Sequence, residues 1–360
     1  MSHRVCFVYQ WATYGGVERV FLNRAQAFAE EGLDVDIEVF YGADGGGMAA
    51  FTQTIRDLGL EERIRVVPTF DPGRYESTFI IDSPALLPEQ LDDSTKWVVE
   101  CHTPYAQNRE YLSRLPDGVA EVLVPSHTFA EMLRNERPEI ASRIRLLRNC
   151  VSPARVGNLP RLPAWRQQAL LYFGRLDELK NPQGFIDIVR ELERRQPGRY
   201  VGVVVGPEVQ GYDMNQRIDR AGLRGRVFQM PPLPFTRTGA FLAAWRERQG
   251  VMISPSYGES FGLAAAESIA AGVPVLLSQL PEHSELVAGD PRHLYQPDDI
   301  NAGADRVEAL VRDYPQASQR MLERAQLFSS EAFVSDWLGM SRGDEFELAA
   351  SKAINEEVGT

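Results

Sequence analysis

The stretch Ser254-Pro-Ser-Tyr-Gly-Glu-Ser-Phe-Gly-Leu-Ala-Ala-Ala-Glu-Ser-Ile-Ala-Ala-Gly-Val-Pro274 decides how the chain is read. Val251–Ser254 reads as a buried strand that ends where the quotation begins. A polar, glycine-containing turn follows. The next segment predicts a helix over Gly262–Ala271 that is small or apolar nearly all round, as a helix buried on most sides would be. Gly272 and Pro274 end it. Glu267 is its only charge, and a carboxylate there is costly unless something pairs with it or donates hydrogen bonds. Glu259 stands just before the helix, where the free N–H groups of Phe261, Gly262 and Leu263 point outward. Such a terminus favours anions, phosphate above all. Plain structural roles are open to both acids: Glu259 as a cap of its own helix, Glu267 as the partner of an arginine.

Outward from this block, short apolar runs alternate with helical patterns, which predicts parallel α/β layers. Val5–Tyr9, Val35–Phe40, Phe79–Ile81, Trp97–Cys101 and Val122–Val124 read as strands, and so do Ala169–Phe173 and Val201–Val205. Gly15 and Gly16 read as a turn, followed by a helix that runs to about Glu31, and another helix is expected after Asn181 with Pro182 in its first turn, with Phe185, Ile188, Val189 and Leu192 on one face. Ala43–Ala50, with three adjacent glycines, reads as a flexible loop. Pro153, Pro160 and Pro163 mark an interdomain linker. The expected division is therefore 1–152, linker 153–163, 164–328, and a helical segment 329–360.

Three further clusters share a position with the first. Gly174-Arg-Leu-Asp-Glu-Leu-Lys-Asn181 follows a strand and precedes a helix. Two cations beside a helix start, Arg175 and Lys180, suit a diphosphate, although a solvated loop is the commoner fate of such residues. Tyr14-Gly-Gly-Val-Glu18 lies at the first strand-to-helix turn, where glycines let backbone approach a ligand. Glu100-Cys-His-Thr-Pro-Tyr105 lies just past another strand, and His102 there could equally be a hydrogen-bonded loop histidine. Every cluster falls at the carboxyl end of a predicted strand, which is the edge where doubly wound sheets bind ligands. Two belong to each half, so facing edges would form a cleft. Cations and N–H groups fit a diphosphate there, and carboxylates, which only accept, fit sugar hydroxyls.

The whole pattern resembles the retaining glycosyltransferases of the GT-B fold, sequence family four. Glu259 and Glu267 have the spacing of that family's E-x7-E motif, and PSYGESFGLAAAESIAAGVPV is similar to its signature. GRLDELKN resembles its diphosphate loop, and YGGVERV its N-terminal glycine loop. The resemblance spans roughly residues 4 to 300. It implies two Rossmann-like doubly wound domains facing across a deep cleft, the first binding the acceptor and the second the nucleotide sugar, with a C-terminal helix that can cross back to the first domain. It implies that Arg175 and Lys180 hold the donor diphosphate and that Glu267 binds the ribose. Glu259 would bind the donor sugar, helped by Ser260 and the backbone of Phe261, Gly262 and Leu263. Gly16 would approach the phosphate from the other domain, and His102 would lie by the reacting face of the sugar. The implied reaction is front-side transfer from a nucleotide-diphosphate sugar, UDP or GDP being the expected nucleotide, to a hydroxyl acceptor, with the leaving phosphate helping to remove the acceptor proton. Two segments depart from the family pattern: Ser278-Gln-Leu-Pro-Glu282 lacks the paired glycines, and Gly32-Leu-Asp34 replaces Gly-His.

Rival readings are a hydrolase using Glu259 and Glu267, a nucleotide-sugar epimerase, and a silent sugar-nucleotide binder. Retaining hydrolases need carboxyls about 5–5.5 Å apart, whereas eight helical residues span about 12 Å. Asp34-Val35-Asp36 has the D-x-D form of metal-dependent transferases but enters a predicted strand near the surface, so no metal or other cofactor is expected. The arginines of 134–148 (Arg134, Arg137, Arg143, Arg145, Arg148) could touch anionic lipid or a phosphorylated acceptor, but a solvated helix followed by a strand is the favoured reading.

Composition sets the outer bounds. With 38 Lys and Arg against 50 Asp and Glu, the net charge is −12, which argues against nonspecific nucleic-acid binding. Cys6, Cys101 and Cys150 form no CxxC pair and fit a reduced compartment. No stretch approaches ~20 uninterrupted apolar residues, and the N-terminus does not read as a signal peptide. A cytoplasmic protein is expected, peripheral at most to the inner membrane face. Oligomeric state, base, donor sugar and acceptor have no signature in the sequence.

Overall fold

The computed structural model describes residues 3–91, 93–151 and 166–340. The linker expected at 153–163 and the last part of the segment 329–360 lie outside the described residues. In the first domain, β1 (His3–Ala12) leads into α1 (Gly16–Glu30), then β2 (Val35–Asp44), α2 (Met48–Asp57), β3 (Ile64–Val67), β4 (Ser77–Ile81), β5 (Lys96–Glu100), β6 (Val119–Val124), α3 (His127–Glu136) and β7 (Ile144–Leu146). These strands form one parallel sheet in the order β3-β2-β1-β4-β5-β6-β7. In the second domain, β8 (Gln168–Phe173) leads into α4 (Pro182–Arg195), β9 (Tyr200–Val205), α5 (Met214–Arg220), β10 (Val227–Met230), α6 (Phe235–Glu247), β11 (Val251–Ser254), α7 (Leu263–Ala270), β12 (Val275–Ser278), α8 (Pro281–Leu286), β13 (Leu294–Tyr295), α9 (Ile300–Arg312) and α10 (Tyr314–Arg324). Its sheet runs β10-β9-β8-β11-β12-β13.

The strand orders explain the burial. Each sheet is covered on both faces, so its strands are apolar without alternation: all six residues of β9, Tyr200–Val205, are buried. In α4 the residues Phe185, Ile188, Val189 and Leu192 face the sheet, each contributing about 1.5–3 kcal/mol over exposure. Asn181 caps α4 as its sequence predicts, its side chain accepting from the Gly184 N–H at 3.0 Å. The order reverses between β1 and β4 in one sheet and between β8 and β11 in the other. Those are the switch points of a doubly wound sheet, where a crevice opens at the carboxyl ends.

Residues 330–340 are helical and return to the first domain. Phe333, Val334 and Trp337 join the core that holds Phe7, Phe28 and Phe79. Arg148 is paired with Asp336 at 2.6 Å, which fixes the crossing.

One expectation is corrected. Ala43–Ala50 is not a loop throughout: Ala43 and Asp44 extend β2, pairing with Trp11 and Ala12, and α2 begins at Met48. Only 45–47 is a turn: Gly45 and Gly47 serve close packing, while Gly46 supplies a positive φ of 90°. A Cβ on Gly47 would lie 2.4 Å from the Thr13 and Tyr14 backbone. The helix expected at Gly262–Ala271 is one residue shorter at each end, because Gly262 is a left-handed N-cap with φ 89°.

Candidate functional site

The four clusters do sit at carboxyl strand ends: 14–18 after β1, 102–105 after β5, 174–181 after β8 and 255–262 after β11. The last two flank the switch point of the second sheet and are bound together. Asn181 takes a left-handed backbone, φ 49°, and its side-chain N–H donates to the Pro255 carbonyl at 3.0 Å. Lys180 Nζ lies 2.6 Å from Glu259 Oε2 and 3.4 Å from the Gly258 carbonyl. Ser256 donates to Glu259 Oε1 at 2.9 Å. Burial pushes the Glu259 carboxyl up, but the Lys180 and His283 charges with the Lys180 and Ser256 hydrogen bonds outweigh it and hold it below its ordinary range. Glu259 therefore does not cap its helix; it faces a cation.

Arg175 is partly exposed on the same loop and is paired with Asp177. Its Nη2 also lies 3.4 Å from the Tyr105 hydroxyl, which belongs to the other domain. The loop rests on the β9 end through two backbone bonds, Gly174 N–H to Val205 O and Leu176 N–H to Pro207 O. Gly206 makes this approach possible: its φ is 157°, and a Cβ there would stand 1.7 Å from the Gly174 carbonyl oxygen.

In the first domain, Glu18 is wholly buried and accepts from the Thr13 and Gly15 N–H groups at 3.0 and 2.6 Å, closing the turn that carries the exposed Gly16. His102 Nε2 lies 2.9 Å from Glu100 Oε2, and Arg24 donates to both oxygens of the same carboxylate. Burial works against the Glu100 charge, yet Arg24 and His102 bring its carboxyl down to about 2. The His102 N–H also meets the Asp82 carboxylate at 3.1 Å. Asp82 has φ 41°, and burial raises its carboxyl to about 6 against the pull of His102. Two strained non-glycine residues, Asp82 and Tyr14 (φ 58°), thus lie at one sheet edge, as functional edges tend to show.

The domains touch across the crevice at named atoms. Arg19 Nη1 donates to both Glu267 oxygens at 2.8 and 2.9 Å. Ser126 donates to the Ser260 carbonyl at 2.9 Å. Glu285 accepts from the His127 and Thr128 N–H groups at 3.0 and 2.9 Å. The structure thus brings Arg175, Lys180, Glu259 and the 260–263 backbone to one edge, with Glu267 one helix face behind. Gly16 and His102 stand on the facing edge. Arg19, Arg24, Asp82, Ser126 and Glu285 were missed by sequence reasoning. Arg19 alone had a signal, its place directly after the glycine loop.

Among the described residues no group of three or more metal-ligating side chains gathers, and no helix is long and apolar enough to cross a membrane. Arg134, Arg143 and Arg145 are spent on local carbonyls of Ile144, Pro116 and Ser142.

Comparisons with known proteins agree with this geometry. Residues 164–328 match the family described as Glycosyl transferases group 1. The D-inositol 3-phosphate glycosyltransferase of Pseudarthrobacter chlorophenolicus is 28% identical over 182 residues, which cover 46% of this chain and 41% of that protein. This chain thus spans well under half of that relative. Among solved structures, a mutant of S. aureus TarM aligns with a TM-score of 0.71 at 12% identity, over 94% of this chain and 99% of that one. The Anabaena protein HepE, bound to UDP and glucose, aligns with a TM-score of 0.70 at 16% identity, over 95% and 100%. At such identities the likeness concerns the fold, which is GT-B. Residues 164–328, a little under half of the chain, are thus similar to the glycosyl transferases of group 1, and they carry the Gly174–Asn181 loop and the Glu259–Glu267 block.

Proposed function

We propose that this protein is a retaining glycosyltransferase that moves a sugar from a nucleotide-diphosphate sugar to a hydroxyl acceptor without a metal ion. The observation that carries the reading is the Lys180–Glu259 pair at 2.6 Å on the edge that Arg175 shares with Tyr105 of the facing domain. Cations for a diphosphate and a carboxylate for sugar hydroxyls occupy one place. Arg175 and Lys180 supply the positive charge that a metal supplies elsewhere, and the 261–263 backbone adds N–H dipoles. As the bond from the anomeric carbon to phosphate oxygen breaks, these groups take up the charge growing on the diphosphate. The acceptor oxygen forms its bond on the same face, and its proton passes to the departing phosphate oxygen. Glu259 and His102 orient the sugar, and neither is a nucleophile. The second domain holds the donor, with Glu267 at the ribose, and the first holds the acceptor.

UDP is the first nucleotide to test, because the Anabaena structure of the same fold carries UDP. The deciding experiment incubates the protein with UDP- and GDP-sugars, with and without acceptor alcohols, and follows donor and product by chromatography. Transfer needs both partners and keeps the anomeric configuration. Consumption of donor by water alone, or conversion of the donor sugar alone, would replace this reading with hydrolysis or epimerisation. Saturating nucleotide at about 100 times Kd should stabilise the fold by about 2.7 kcal/mol.

A further inference from the structure

Arg19 stands on α1 of the first domain, yet among the described residues the hydrogen-bond and ring partners of its guanidinium belong to the second. Nη1 donates to both oxygens of Glu267, and Nη2 lies 3.4 Å from the Thr238 hydroxyl. The guanidinium also lies over the rings of Phe173 and Phe235, at 5.6 and 5.7 Å. Arg and Glu side chains are 20% and 9% exposed, so the pair is largely out of water. This is a fitted socket, not a surface ion pair.

The geometry says what the pair leaves available. A carboxylate has two oxygens with about four lone-pair sites. A single nitrogen, Nη1, bridges both oxygens, so Arg19 takes one site on each. One site per oxygen stays open, which is the pattern that two adjacent hydroxyl donors would fill.

We propose that Arg19 is a donor-site positioning residue, lent by the first domain, which sets the Glu267 carboxylate to accept the vicinal hydroxyls of a nucleotide ribose, so that the ribose site is complete only when the domains are together. The proposal rests on the reading of Glu267 as the ribose acceptor. Burial pushes this carboxyl above its ordinary range, toward the neutral form that accepts hydroxyl protons less well, and Arg19 offsets part of that push. The two aromatic rings keep the guanidinium planar against the socket, which orients the carboxylate as well as charging it.

The test is calorimetric titration of UDP, GDP and ADP, and of the 2′,3′-dideoxy form of whichever binds. The proteins are the native chain, Arg19→Gln, Arg19→Lys, Glu267→Gln and the Arg19→Gln/Glu267→Gln double variant, each checked by unliganded thermal unfolding. Arg19→Gln should weaken the ribonucleotide at least tenfold and the dideoxy nucleotide less than threefold. Arg19→Lys, which can also bridge two oxygens from one nitrogen, should recover most of the loss. In the Glu267→Gln background the Arg19→Gln change should add almost nothing. Equal weakening of both nucleotides, or an undiminished effect without Glu267, would overturn the proposal and leave Arg19 as an interdomain fastener. Failure of the native chain to bind any of the three nucleotides would sink the nucleotide-sugar reading itself, and this proposal with it. Should Arg19→Gln not fold, Arg19→Lys and the double variant carry the same comparison.

Discussion

The His102 ring is held by Glu100, with Nε2 at 2.9 Å from the carboxylate that Arg24 also grips. That contact fixes the ring and leaves Nδ1 as the nitrogen free to meet a ligand. Replacing Glu100 by Gln strands a buried Arg24, which should destabilise the fold by about 3–5 kcal/mol. The pH dependence has a definite sign. The Glu100 carboxyl is lowered in the folded chain from 4.5 to about 2, so its stabilisation is full above 4.5 and drains away as pH falls toward 2. Thermal unfolding across that window should show an acid limb in the native chain that Glu100→Gln lacks.

Asp82 is expected to behave in the opposite sense. Its carboxyl is raised from 3.8 to about 6, so the folded chain holds a proton that the unfolded chain has already lost. Stability contributed by this group therefore declines as pH rises from about 4 to 6 and stays reduced above. Asp82→Asn should remove that decline, raising the melting temperature at pH 7.5 relative to the native chain while changing little at pH 4. A variant that melts lower at both pH values would show that the carboxylate's bonds to the His102 segment outweigh its burial.

Lys180 and Glu259 are in direct contact, so their effects should not add. Each alanine variant is expected to lower kcat/KM at least tenfold, equivalent to about 1.4 kcal/mol. The double variant should lose clearly less than the product of the two. Arg175→Ala should show a similar single loss. Full activity in the Arg175/Lys180 double variant would remove the diphosphate assignment.

Among the described glycines, Gly206 is the one least able to take a side chain. Its Cβ would lie 1.7 Å from the Gly174 carbonyl, a backbone atom that cannot swing aside. Gly206→Ala should cost about 3 kcal/mol or more, read as a fall in melting temperature, or else push the Arg175–Lys180 loop off β9. Either way donor affinity should drop, while Gly339→Ala, with nothing near its Cβ and no positive φ, should leave affinity unchanged.

What could be read from sequence was local. The Ser254–Pro274 block, the Gly174–Asn181 loop and the helix cap at Asn181 depend on neighbours within a few residues, so their spacing carried the information. The Arg19–Glu267 contact joins residues 248 apart, and no periodicity encodes such a pair. Short edge elements such as β7 and β13, of three and two residues, are strands only because a neighbour pairs with them. The glycine run 45–47 looked like slack chain, because close packing and freedom demand the same residue type.

Glu285 and Ser126 have a consequence for how the lobes are joined. The first amides of α3 are satisfied from across the crevice by Glu285, and Ser126, which caps the same helix, is tied to the Ser260 carbonyl. Parting the lobes at that rim would strip a helix end of its acceptors, at about 0.5–1.5 kcal/mol per bond. The α3–α8 seam is therefore a bonded joint between the lobes, in which one domain finishes a helix that the other begins.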